Sequence, residues 1–203
     1  MNKVQLFFSK ALVFVVDKCK NIYEKAYLYK LKPVFRSIGS NPILELPISL
    51  LGCEYISIGN NFIIRRDGKI RAYTDFEGYK YNPEFTIGNN VYLGTNCCLS
   101  AIGKITIGNN VTFASNITVM DHMHGMLDYK DINVPVMKRQ LSSKGAIVIE
   151  DNVWIGEGVV ILSGITIGKN SIIGANSVVT KSFPSNCIIA GVPAKIIKQI
   201  HNL

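Results

Sequence analysis

Proton chemistry near neutral pH calls for imidazole, and this chain has three histidines: His122, His124 and His201. Two of them share one short segment, Val119-Met120-Asp121-His122-Met123-His124-Gly125. An imidazole with an unperturbed pKa of about 6.5 can take the proton of a hydroxyl as its oxygen attacks an electrophile. Asp121 beside the pair either orients an imidazole or caps a turn, and both readings stand. As metal ligands the histidines are poorly placed, because two are neighbours on one segment and the third lies in the tail. The five cysteines, Cys19, Cys53, Cys97, Cys98 and Cys187, contain no CxxC pair and no regular spacing. An odd, scattered set reads as reduced thiols of a cytoplasmic protein. Cys97 and Cys98 are nucleophiles in principle, but Cys97 falls on an inward phase of the repeat below, where a thiol is inert filler. No glycine motif for nucleotide phosphates is present, which disfavours nucleotide hydrolysis and nicotinamide chemistry.

The elements that must position these residues announce themselves by period. From residue 149, Ile149, Ile155, Ile161, Ile167, Ile173 and Val179 recur every six residues, and Gly156, Gly168 and Gly174 follow three of them. Upstream the pattern runs Ile87-Gly88, Leu93-Gly94, Leu99, then Ile107-Gly108, Phe113 and Val119, with two extra residues between Leu99 and Ile107. A poorer copy is Ile58-Gly59, Ile64, Ile70. Six is neither a helical period nor a plain strand alternation. It fits a short strand and a turn, with the anchor and the residue two before it pointing inward. Glycine and asparagine after the anchor suit positive-φ turns. Three such strands close a triangular coil, and stacked coils bury one core.

Residues 1–55 read as a helical segment over about 1–30 followed by an irregular lead-in punctuated by Pro33, Pro42 and Pro47. Coils are expected over 56–203, interrupted by insertions at 71–86 and 120–146 and closed by a short terminal helix near 193–201 as a cap. Both interior histidines fall where the regular scaffold breaks into the second insertion, the kind of place where function concentrates. Ser100 and Asn116 lie in coils whose ends approach that cleft and are candidates for acceptor contacts. Asp75 and Glu77 in the first insertion could also meet substrate hydroxyls. The chain is 48% hydrophobic and 18% charged, enough for a packed core. Of its net +8, most sits at the start: Lys3, Lys10, Lys18, Lys20, Lys25, Lys30, Lys32 and Arg36 against Asp17 and Glu24. That bias reads as a solvated helix face or as attraction to an anionic surface. No nucleic-acid motif accompanies it. The N-terminal apolar run lacks a clear cleavage site and reads as retained, and no stretch is long enough to span a membrane.

The histidine segment, followed by IEDNVWIG, ILSGITIG, IIGANSVVTKSFPSN and AGVPAKII, resembles the hexapeptide-repeat acetyltransferases of bacteria, which act on polysaccharides, galactosides and maltose. The likeness covers about residues 85–200. It implies a mainly β fold, the left-handed parallel β-helix, and acetyl transfer from acetyl-CoA to a sugar hydroxyl, in surface polysaccharide or lipopolysaccharide synthesis. It implies that Asp121-His122 matches the family's catalytic pair, so His122 is the general base, with His124 second. By position in the family motif, Glu157, Ala175, Thr180, Lys181, Lys195 and Lys198 fall on CoA-contacting sites. The three lysines suit phosphates; Glu157 suits a pantetheine amide better. Trp154, outward by the alternation, is expected beside the active site at a subunit interface. Outward Trp154 and Ile172 on one face, and Val160 and Val178 on another, predict a homotrimer. No metal is expected to be required, because three well-placed ligands are hard to assemble from His122, His124 and His201, and the basic segment 1–36 is expected to favour peripheral association with the inner membrane surface. An antibiotic acetyltransferase is the alternative within the fold. A zinc-dependent carbonic anhydrase of the γ class and a non-catalytic scaffold are the alternatives in other classes.

Overall fold

The computed structural model describes residues 3–125 and 131–200, without the side chains of 3–9 and 11; His201 lies outside the described residues. Two units make up the chain, 1–34 and 35–203. The first is a 29-residue helix, α1 (Lys3–Leu31), with no glycine or proline inside it. Pro33 just beyond ends it, since proline and the residue before it disfavour helix.

The second unit is a left-handed parallel β-helix with three faces. The first sheet stacks Ser37–Ile38, Ile56–Ile58, Glu84–Ile87, Lys104–Ile107, Ile147–Ile149 and Thr166–Ile167, all parallel. The second runs from Ile43–Leu44 through Trp154–Ile155 to Cys187–Gly191, and the third from Ser49–Leu51 to Val178–Val179. The parallel strands of the coils are two to five residues long because a corner follows each one. Along the strands of the first sheet alternate residues point inward, so Ile56, Ile58, Phe85, Ile87, Ile105, Ile107, Ile147 and Ile149 are buried to 4% exposure or less. Ser171 and Ser177 also point inward and are satisfied: the Ser171 hydroxyl donates to the Pro184 carbonyl and the Ser177 hydroxyl to that of Gly174.

The turn chemistry divides its labour differently from the expectation. At the corner between the first and second sheets it is asparagine that adopts positive φ, at Asn41, Asn61, Asn90, Asn110, Asn152 and Asn170, with φ between 55° and 59°. Their side-chain amides form a ladder, Asn61 Nδ2 donating to Asn90 Oδ1 and Asn90 Nδ2 to Asn110 Oδ1, both at 2.9 Å. The glycines of the IGNN strings have no such φ. They permit stacking instead: a Cβ on Gly88 would lie 2.6 Å from the Gly108 carbonyl oxygen.

Three boundaries differ from those read in the sequence. Coils begin at Ser37, inside the predicted lead-in. Ile38, Leu44 and Leu50 keep the six-residue period there, and Pro42 and Pro47 fall between strands of the terminal coil, where a missing N–H costs little. The insertion placed at 71–86 is confined to 73–83, because Lys69–Ala72 and Glu84–Ile87 are coil strands. The predicted terminal helix is a strand, Ala194–Gln199, antiparallel to Cys187–Gly191. It pairs the edge that the last parallel strand of the second sheet would otherwise leave open.

Candidate active site

Contacts down the first corner step by 20, 29, 20, 42 and 18 residues from coil to coil. Every excess over 18 is inserted at one corner, that between the third and first sheets, and His122 lies there, just after the third-sheet strand Thr118–Met120. The first insertion forms a hairpin of Asp75–Phe76 with Tyr79–Lys80. The second insertion begins and ends as an antiparallel pair, Met123 opposite Ser142 and His124 opposite Leu141.

Asp121 has no solvent exposure. Its Oδ1 accepts the Ile102 amide N–H at 2.9 Å and its Oδ2 that of Gly103 at 2.8 Å. These two donors are the extra residues between Leu99 and Ile107. Asp121 Oδ1 also lies 3.0 Å from His122 Nδ1. The two readings of Asp121 therefore hold together: one carboxylate caps the neighbouring turn and orients the ring. A carboxylate only accepts, so Nδ1 is the donor of this contact, and in the neutral ring Nε2 is the nitrogen left with a lone pair. His122 is 8% exposed and meets the Tyr73 ring edge-on at 6.0 Å between centroids; His124 meets Phe76 the same way at 5.1 Å.

The two insertions are tied to each other. Tyr81 Oη accepts the Leu141 amide N–H at 2.9 Å, and Lys138 pairs with Glu77. Sequence reasoning missed Tyr73, Phe76 and Tyr81. Their signal was the density of aromatics between 73 and 85, which reads as loop content until a hairpin aims it at the histidines.

The expected contact residues divide between places. Ser100 is buried beside Met120, and its carbonyl accepts the Asp121 N–H at 3.2 Å. Its position supports Asp121, whereas an acceptor contact needs an exposed hydroxyl. Asn116 is held in a ladder at the opposite corner, between Asn96 and Glu157, 2.9 Å from the Glu157 carboxylate. That pairing engages Glu157 as well. Asp75 pairs with Lys80 across the hairpin at 2.8 Å. Thr180 and Lys181 are exposed on the histidine corner, two coils on from Met120, a separation of about 10 Å at the usual strand spacing. Ala175 is exposed at the opposite corner, Trp154 is 53% exposed on the outer face of the second sheet, and Lys195 and Lys198 lie on that sheet's last strand. One chain thus does not gather all of them. Cys97 is fully buried, and burial pushes its thiol up to about 11, which leaves it protonated and unreactive. Among the described residues no three His, Cys, Asp or Glu side chains gather as a metal site.

Coils of this period with a buried Asp–His pair at the corner define a class, and comparison with known proteins agrees. Residues 146–181 match the family described as bacterial transferase hexapeptide (six repeats), and residues 85–120 match the hexapeptide repeat of succinyl-transferase. The chain belongs to the hexapeptide-repeat acetyltransferases. It is 42% identical over 168 residues, 79% of this chain and 80% of the relative, to WbbJ of Escherichia coli, a candidate lipopolysaccharide biosynthesis O-acetyl transferase. It is 33% identical to the galactoside O-acetyltransferase of the same organism, over 85% of this chain and 68% of that one. Among solved structures, a maltose O-acetyltransferase from Clostridium difficile superposes with a TM-score of 0.55 at 30% identity, covering 85% of this chain and 73% of the other. An N-acyltransferase from Bacillus cereus shares the fold with a TM-score of 0.70 at 23% identity, covering 88% and 90%.

Proposed function

We propose that this chain transfers acetyl from acetyl-CoA to a sugar hydroxyl of a surface polysaccharide or lipopolysaccharide, with His122 as general base. The observation that carries the reading is the buried Asp121 carboxylate holding His122 Nδ1 and leaving Nε2 for the acceptor. Nε2 takes the hydroxyl proton as the oxygen attacks the thioester carbonyl. The tetrahedral intermediate expels the thiolate of CoA, which recovers the proton from the imidazolium, so ester and free CoA leave and the enzyme is unchanged. No covalent enzyme intermediate is required, and burial of Cys97 is consistent with that.

Donor binding is the part that needs a second subunit. Lys181 lies on the histidine corner, whereas Lys195, Lys198, Trp154 and Ala175 lie on or beside the second sheet. The outer column of that sheet is apolar at Ile43, Ile63, Tyr92, Trp154, Ile172 and Ile188, with Thr112 between Tyr92 and Trp154, while that of the first sheet is mostly Ser and Thr. Packing the second sheet against a neighbour's histidine corner about a threefold axis covers this column and brings both sets together. The lysines then face the phosphates of CoA.

His122→Ala is expected to lower turnover about 10²–10⁴-fold, the usual share of general acid–base catalysis, with acetyl-CoA affinity nearly unchanged. His124→Ala is expected to do less. Labelled acetyl-CoA offered with a panel of bacterial glycans, simple sugars and antibiotics identifies the acceptor. Full activity in both variants would remove the mechanism, and transfer confined to antibiotics would replace the substrate class.

A further inference from the structure

Helix α1 carries a surface that the acetyl-transfer reading does not use. Leu12, Val15, Cys19, Ile22, Ala26 and Tyr29 are all exposed and are spaced alternately by three and four residues. At about 100° per residue they fall in one sector roughly 100° wide, an apolar stripe about 26 Å long. Val16 and Phe14, each more than half exposed, flank its N-terminal end on either side, whereas Val13 lies on the face of Asp17. No helix is long and apolar enough among the described residues to cross a membrane.

A stripe with this spacing could be covered by the same stripe of a second copy, or by a lipid surface, and the flanking charges separate the two. Lys18 and Lys25 border the stripe on one side and Lys30 on the other, all exposed. Asp17 and Glu24, the acidic residues of the helix, lie on the opposite side, about 180° from the stripe. In a helical bundle of identical copies the bordering positions of neighbours face each other, so lysine would meet lysine with no carboxylate within reach. On an anionic bilayer the same three ammonium groups reach the headgroups while the stripe sits at the acyl boundary. Tyr29, 83% exposed, is a side chain suited to that boundary.

We propose that α1 is an interfacial helix that docks this stripe on an anionic phospholipid surface. Acetyl transfer to a soluble acceptor does not depend on it. The test is co-sedimentation of the full chain with phosphatidylcholine vesicles with and without phosphatidylglycerol. The full chain is expected to bind the anionic vesicles and release in high salt. Joint replacement Lys18→Glu, Lys25→Glu and Lys30→Glu, and separately Leu12→Glu with Ile22→Glu, should each weaken binding by more than about tenfold. Circular dichroism checks that the helix persists, and transfer to a soluble acceptor should be unchanged. Equal binding to neutral vesicles, or none to anionic ones, overturns the proposal. So does a Leu12→Glu, Ile22→Glu protein that binds vesicles normally but sediments as a smaller assembly, which would give the stripe to a second copy.

Discussion

Asp121 shows how much one buried carboxylate can organise. Its two oxygens take two backbone amides and an imidazole nitrogen, so the turn and the ring orientation are set together. Cys97 shows the opposite: a potentially reactive group made inert by position. Its Sγ donates to the Ala114 carbonyl, and desolvation raises its pKa from 9.0 to about 11. A thiol raised in the folded state contributes fully below the unfolded value and loses that contribution as pH climbs through the folded one. Stability is therefore expected to fall between pH 9 and 11, about 2–3 kcal/mol of it from this thiol. Denaturant melts of the native chain and of Cys97→Val across that range check this, the variant showing the shallower fall. Iodoacetamide at pH 8 should spare Cys97 until the chain unfolds.

The two insertions act as one element. The hairpin of 73–83 places Tyr73 and Phe76 edge-on to the two histidines, and Tyr81 ties it to the far strand of the second insertion. Tyr81→Phe removes the acceptor of the Leu141 N–H while keeping the ring. Leaving that part-buried donor unpaired costs about 1–3 kcal/mol locally and loosens the strand opposite His124. Turnover is expected to drop severalfold with acetyl-CoA affinity unchanged and the global melting temperature nearly so, since the coil core does not rest on this bond. Steady-state kinetics with calorimetry and hydrogen exchange at Met123–His124 measure it; a loss of global stability without a change in turnover would make Tyr81 purely structural.

For the whole molecule the proposed assembly rests on the outer face of the second sheet. Trp154 and Ile172 stand side by side on it, 53% and 36% exposed, an area that is costly to leave in water. If the proposed trimer forms, Trp154→Glu with Ile172→Glu is expected to convert it to monomers in analytical ultracentrifugation and to weaken acetyl-CoA binding, because the proposed donor contacts lie partly on the histidine corner and partly on the second sheet. A wild-type monomer at micromolar concentration would contradict this arrangement.

The repeat itself was legible without coordinates. A period of six with branched aliphatic anchors has few solutions, because each anchor must face a common interior and each corner must turn within two or three residues. The histidine pair could be singled out from the sequence by its place where that period breaks, and the preference for His122 over His124 came from the family resemblance. Other features depended on chain segments far apart in sequence. Ile102 and Gly103 looked like a slip in register; only the stacking of the next coil shows that their amides receive Asp121. Pro42 and Pro47 hid the first coil, since proline reads as an interruption whether or not the missing N–H had a partner. The residues 193–201 read as helix because local propensity cannot register an open sheet edge waiting to be paired. The insertions carry no period at all: what Tyr73, Phe76 and Tyr81 touch was decided by the corner from which both loops emerge, a consequence of tertiary stacking and not of any pattern along the chain.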